Sequence, residues 1–214
     1  MAPARSLVAV SAGLQVPSST RLLADRLVAA TERHLRDAGI EPVTTVIELR
    51  DHAQDLSNNL LTGFPSPSLQ VAIGQVTDAD GLIVASPIFN ASYSGLFKTF
   101  FDVIEHESLD GRPVLLAATG GTARHSLALE HSLRPLFTYL GADTVRTAVY
   151  AASEDWGRSG VPADGSLVQR IDRAARELAG AMAVREPHRR RDPFGDPAPF
   201  EQMLKDLEPR HTSD

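Results

Sequence analysis

At 214 residues with 43% apolar side chains, the chain has enough material for one well-filled core, and 21 basic against 27 acidic residues give a net charge of −6. That balance argues against nucleic-acid binding as its main business. There is no cysteine, so disulfide frameworks, thiolate zinc sites, iron–sulfur clusters and cysteine nucleophiles are excluded together. No apolar run approaches the roughly 18 residues of a membrane helix. Ser6–Val16 is apolar enough for a short export signal, but it runs directly into a helical pattern with no small-residue cleavage site, and the chain reads as cytoplasmic.

In chain order, Ser6–Val10 is the first β-rich run, and a helix opens near Ser18 with Leu23, Leu27 and Ala30 on one face and Gly39 as its stop. Val43–Leu49 is the second strand. His52–Ser68 carries Asn58, Asn59, Gly63, Pro65 and Pro67 with little periodicity, and reads as a long irregular loop placed to cover a ligand. A short helix, Leu69–Val76, leads into the third strand, Gly81–Ser86. The helix expected over Ser94–His106 carries Leu96, Phe97, Phe100, Phe101 and Ile104. That stripe is wider than one sheet face needs, so part of it is expected between the subunits of a homodimer or homotetramer.

Val114–Thr119 is the fourth strand. A helix with Leu129, Leu133, Leu136 and Leu140 follows, then a fifth strand over Thr144–Tyr150 and a helix carrying Leu167, Ile171, Ala174 and Leu178. Residues 1–184 thus read as one domain, and 185–214 as a Pro/Arg-rich tail. In that tail Arg189, Arg190 and Arg191 form a solvated patch, and Phe200–Leu207 is a short helix that either docks on a neighbour or stays solvated.

Strands alternating with helices imply an α/β fold, a parallel sheet covered on both faces, with ligands held beyond the carboxyl ends of its strands. The loop after the first strand contains Ser11, Gly13, Ser18, Ser19 and Thr20 and opens a helix. One hydroxyl suffices to cap a helix; four hydroxyls beside unpaired amides also suit a phosphate. Neither G-x-G-x-x-G nor G-x-x-x-x-G-K-[ST] is present, which disfavours a tightly held dinucleotide and a Walker A site and leaves a mononucleotide. After the third strand, Pro87, Ile88, Phe89, Asn90, Ala91 and Ser92 form a turn that offers amides and an aromatic ring to a flat heteroaromatic ligand. After the fourth, Thr119, Gly120, Gly121 and Thr122 allow close approach of the backbone.

The run Ser86–Asp102, with Ala118–Thr122 and the serine-rich first loop, resembles the NADPH-dependent FMN reductase family of flavodoxin-like proteins. Within that family it is most similar to reductases that supply reduced flavin to two-component or luciferase-like monooxygenases, and the resemblance covers Ser6 to Tyr150. It implies a doubly wound five-stranded sheet of order 2-1-3-4-5, bound FMN, and hydride transfer from NADPH or NADH. It further implies that Ser11, Ser18, Ser19 and Thr20, with Gly13 in the same loop, hold the FMN phosphate. Pro87 to Ser92 would hold the ring and ribityl chain, and Thr119 to Gly121 the pyrimidine edge. Members often carry an arginine in the first loop where this chain has Gln15, which implies looser flavin holding.

The histidines show no metal-binding spacing, and no G-x-S-x-G elbow is present. No catalytic side chain is expected, because the cofactor carries the chemistry. Arg124, His125 and Trp156 lie after the relevant strands; the first two read as solvated and Trp156 as either packing residue or lid. A quinone or azo reductase with bound FMN and a flavodoxin-type electron carrier remain the alternatives.

Overall fold

A computed structural model of the chain describes residues 3–156 and 165–186. Strands β1 (Ala4–Ser11), β2 (Glu41–Glu48), β3 (Gly81–Phe89) and β5 (Pro113–Gly120) are parallel neighbours in the order β2-β1-β3-β5. β6 (Asp143–Thr144) and β7 (Val149–Ala152) both pair with β5, and β4 (Ser92–Tyr93) folds back antiparallel on β3. Leaving aside that two-residue return, the winding is the expected 2-1-3-4-5.

Alternation along each strand builds two cores. Leu7 and Ala9 of β1, Ile83 and Ala85 of β3, and Leu115 and Ala117 of β5 face one layer. Val8, Val10, Leu82, Val84, Val114 and Leu116 face the other. The first layer is closed by α1 (Ser19–Asp37), through Leu23, Leu27 and Ala30, and by α6 (Gly165–Val184), through Ile171, Ala174 and Leu178. The second is closed mainly by α2 (Ala53–Thr62), α3 (Pro67–Thr77), α4 (Gly95–Asp102) and α5 (Arg134–Tyr139). Among the described residues no helix is long and apolar enough to cross a membrane.

Four expectations are corrected. His52–Ser68 is mostly helical, not an irregular loop: the chain turns through Leu49–His52 and enters α2, which seats Leu56 in the core. The glycine and prolines that suggested a loop punctuate two helices. Gly63, at φ 78°, ends α2 with its N–H on the Asn59 carbonyl at 2.8 Å, and Pro67 opens α3 behind the Ser66 cap.

The α4 phenylalanines do not face a second subunit. Phe97 and Phe100 are 0% and Phe101 2% exposed within the single chain. Phe101 lies 4.7 Å from Phe97 and 4.8 Å from Phe137 between ring centroids, so the wide stripe is consumed by an internal aromatic cluster.

The fifth strand is broken. Glu177 of α6 accepts from both the Thr147 N–H and hydroxyl at 2.7 Å, and Arg134 donates to the carbonyls of Val145 and Arg146. Side chains thereby satisfy backbone groups that a continuous ladder would have used.

The helix expected through Leu129–Leu140 begins as a wider π turn, Leu129–Leu133, before α5. Pro135 has no N–H for an intrahelical bond there. The proposed Phe200–Leu207 helix and the arginine run Arg189–Arg191 lie outside the described residues.

Candidate functional site

The carboxyl ends of β1, β3, β5 and β7 surround a cleft of about 330 Å³, within the range of small-molecule sites. Gly13, Ser18, Ser19 and Thr20 contribute from the first loop, Pro87, Ile88 and Phe89 from the end of β3, and Thr119, Gly120 and Gly121 from the end of β5. Ser11 belongs to the expected set but is fully buried and does not line the cleft; no hydrogen-bond partner satisfies its Oγ. Asn90, Ala91 and Ser92 also lie off the wall.

The first loop is held tightly by its own side chains. Ser18 Oγ accepts from the Arg21 N–H at 3.2 Å and so caps α1. A hydroxyl that accepts keeps its own hydrogen, so capping leaves Ser18 a donor for a ligand. A Cβ at Gly13 would sit 2.0 Å from Ser18 Oγ and 3.3 Å from Thr20 Cβ, which makes residue 13 a place where only glycine lets the loop close. Thr20 Oγ1 and Thr119 Oγ1 are 2.7 Å apart and both residues are buried. That bond ties the start of α1 to the end of β5, and of its two hydrogens one remains for a ligand.

Among the described residues, all that line the cleft are uncharged. Gln15 occupies the wall, and Arg21, in the first turn of α1, is turned to Asp25 at 2.7 Å and Glu48 at 2.6 Å. The hydrogen bond that Arg21 donates to Asp25 raises the Arg21 pKa above its ordinary value. An anion here would therefore be met by hydroxyls, the free first-turn amides and the positive end of a 19-residue helix.

The second loop is a two-residue turn. Phe89 pairs with Ser92 and Ile88 with Tyr93, while Asn90 and Ala91 have φ of 48° and 69°. Two consecutive positive φ values match the twist of a tight hairpin. The turn is anchored by Ser86, whose hydroxyl donates to the Pro87 carbonyl at 2.9 Å and accepts from the Ser94 N–H at 3.0 Å; Ser94 in turn caps α4. Asn90 and Ala91 thus set the position of Phe89, which stands half-exposed at the cleft.

In the third loop Gly121 has open space where a side chain would stand, whereas a Cβ at Gly120 would meet Tyr150 Oη at 2.0 Å. Tyr150 donates to the Thr122 carbonyl at 2.9 Å, and burial raises its pKa above the ordinary value. Tyr150 by itself thus requires a glycine at position 120. Arg124 and His125 are exposed and off the wall.

Sequence reasoning missed Leu14, Gln15, Pro17, Ala151 and Ser153 as lining residues and left Trp156 undecided. Ala151 lies at the carboxyl end of β7 and Ser153 and Trp156 follow it, so the carboxyl-end rule applied to the first, third and fourth strands would have reached them. The break in that strand obscured its end.

A parallel sheet wound in this order, with a phosphate-suited loop on its first strand and two further loops at the adjacent carboxyl ends, defines a flavodoxin-like protein. The chain belongs to the family described as NADPH-dependent FMN reductase, whose model matches residues 6–157. It is 41% identical over 174 residues to an FMN reductase (NADPH) of Pseudomonas aeruginosa, covering 81% of this chain and 90% of that protein. It is 37% identical over 167 residues to the NADH-dependent FMN reductase SfnF of Pseudomonas putida, covering 77% of this chain and 88% of the relative. An oxidoreductase structure from Corynebacterium diphtheriae superposes with a TM-score of 0.80 at 41% identity, covering 85% of this chain and 98% of that one.

Proposed function

We propose that the chain is an NAD(P)H-dependent FMN reductase that uses this cleft. The observation that carries the reading is the uncharged, hydroxyl-rich first loop opening α1, set beside two loops whose backbone is free to approach a flat ring. The residues fit FMN: Ser18, Ser19, Thr20 and the first-turn amides offer donors to its phosphate, and Gly13 closes the cradle. Pro87, Ile88 and Phe89 meet the ring from one side, with Thr119 to Gly121 at its pyrimidine edge. Asn90, Ala91 and Ser92 act by holding that wall in place, and Ser11 acts from beneath the loop. When bound, FMN supplies the hydride-accepting centre between nicotinamide and the final acceptor. The protein's share is to hold and orient the ring and keep one face open to the nicotinamide.

With no cationic side chain on the wall among the described residues, flavin is held loosely enough to exchange, which supports delivery of reduced flavin to a monooxygenase. The enzyme domain is residues 1–184 and works in the cytoplasm. It assembles as a homo-oligomer, a reading supported by Leu61 and Phe64, 87% and 79% exposed at the end of α2.

The test is anaerobic mixing with FMN and each nicotinamide, following bleaching of the flavin band, then adding excess flavin. Oxidation of NADPH or NADH only when FMN is present, continuing with the added flavin, is expected. Tight FMN that neither nicotinamide reduces would favour an electron carrier, and turnover sustained only by quinone or azo acceptors would favour that class of reductase.

A further inference from the structure

A second groove, of about 650 Å³, runs between α1 and α6 on the face opposite the α4 aromatic cluster. Its floor is apolar, with Ala30 and Ile171 at the bottom and Val168 50% exposed at its edge. Arg26, Arg33, Arg173 and Arg176 rim it, and among the described residues the one carboxylate on its wall is that of Asp172. Asp172 lies 2.5 Å from Arg33 and also pairs with Arg176. Four guanidinium groups around one carboxylate leave a surplus of positive charge over an apolar floor, in a chain whose net charge is −6.

This groove abuts the cleft. Trp156 lines the cleft, and the Arg26 guanidinium, on the rim of the groove, stands over its ring at 5.8 Å from the centroid. The residue before it fixes the tryptophan in place: Asp155 accepts from the Ala152 N–H at 2.7 Å and pairs with Arg170 of α6 at 3.0 Å. Along α1, Arg26 lies seven residues beyond Ser19 of the cleft wall, a rise of about 10 Å. An uncharged cleft and a cationic groove thus lie end to end, with one tryptophan between them.

NADPH differs from NADH only in a phosphate on the adenosine 2′ oxygen, remote from the ring that gives up hydride. Selecting it takes a cation for that phosphate and an apolar surface for the adenine, at a place the dinucleotide reaches while its nicotinamide lies in the cleft. The described wall of the cleft is uncharged, whereas the groove supplies both. Arginine suits the task, because its planar fork pairs with phosphate oxygens through two bonds and also stacks on a base. Nucleotide-binding folds use an arginine in this way to accept a 2′-phosphate.

We propose that the α1/α6 groove is the subsite for the 2′-phosphoadenosine end of NADPH. The adenine lies on Val168 and Ile171, the 2′-phosphate is met by the arginine rim, and the dinucleotide passes over Trp156, beside Arg26, into the cleft. This assignment rests on the reductase reading and makes NADPH the preferred donor.

Adenosine 2′,5′-bisphosphate carries this end of NADPH without the nicotinamide, so its binding to the full chain, followed by calorimetry, reads the subsite by itself. It is expected to bind about tenfold or more tighter than 5′-AMP, which lacks the 2′-phosphate, and than pyrophosphate, which lacks the base. The preference is expected to survive saturation with FMN; its disappearance would place the ligand in the cleft and overturn the subsite. Arg26→Gln or Arg173→Gln is expected to erase most of the preference. Arg36→Gln, on α1 outside the groove and paired with Glu32 at 3.1 Å, is expected to leave it unchanged. Equal affinity for the bisphosphate and either control, or the same loss from Arg36→Gln, would overturn the proposal. In turnover with FMN, Arg173→Gln is expected to raise KM for NADPH several-fold and leave kcat and the KM for NADH unchanged, and an equal change for both donors would overturn it. If neither nicotinamide reduces FMN while the bisphosphate preference and its loss in Arg173→Gln persist, the reductase reading falls and the subsite stands.

Discussion

Thr20 and Thr119, ninety-nine residues apart, share a buried hydroxyl–hydroxyl hydrogen bond of 2.7 Å that joins the amino end of α1 to the carboxyl end of β5. The bond fixes the distance between the loop suited to phosphate and the loop suited to the ring edge. Thr20→Val or Thr119→Val leaves the opposite hydroxyl buried without its partner and should cost about 1–3 kcal/mol. The double valine variant, which removes both polar groups, should cost less than the sum. Denaturant unfolding of the four proteins checks this, and additive losses would show that the two hydroxyls are not coupled.

Gln15 and Ser19 allow the charge of the cleft to be changed from its wall. Ser19 is exposed, so Ser19→Asp should leave stability unchanged while repelling a phosphate. FMN affinity should fall by well over tenfold and riboflavin affinity hardly at all, a difference of more than about 1.4 kcal/mol. Gln15→Arg should do the reverse, tightening FMN and slowing its release. Titration of each flavin against both variants reads the effect, and parallel changes for FMN and riboflavin would remove the phosphate from this loop.

The strands were legible because β1, β2, β3 and β5 are short apolar runs whose alternation places one set of side chains on each core, while their order was implied by the family resemblance. The first loop was legible because hydroxyls at a helix start have a direct physical use. What misled was punctuation and packing. Gly63, Pro65 and Pro67 carry the same residue types whether they end a helix, start one or form a loop, and only the seating of Leu56 in the core distinguishes these. The width of the α4 stripe reported its burial faithfully, but not against what; Phe137, distant in sequence, supplies the missing neighbour. Gly120 was read for the ligand alone because the fold had not yet brought Tyr150 beneath it.

Ala91 holds a φ of 69° in a hairpin whose two central residues are both left-handed. Asparagine, as at position 90, tolerates that region; alanine does so at a cost of about 1–2 kcal/mol, which a glycine removes, although its greater freedom when unfolded offsets part of the gain. Ala91→Gly should therefore stabilise the protein by about 1 kcal/mol and raise Tm by about 2–4 °C. A lowered Tm would mean that the turn is held more by Ala91 side-chain contacts than its backbone suggests.

Gly120 and Tyr150 supply the prediction that separates the needs of the fold from those of the ligand. A methyl group at residue 120 would sit 2.0 Å from Tyr150 Oη and 3.1 Å from its Cζ, so Gly120→Ala must displace the ring or the strand end, and the Tyr150 bond to the Thr122 carbonyl at 2.9 Å is lost with it. Overpacking of this kind costs about 1–3 kcal/mol. Tyr150→Phe removes the nearer atom, so the pair Gly120→Ala with Tyr150→Phe should regain most of the stability lost by Gly120→Ala alone. FMN binding then reports the rest. If Gly120 serves only the tyrosine, affinity should recover in the double variant together with Tm. If its bare backbone also lies against the ring, affinity should stay low while Tm returns. Thermal unfolding and flavin titration on the three variants distinguish the two cases, and unchanged stability in Gly120→Ala would show that Tyr150 yields freely and that the close approach does not constrain the loop.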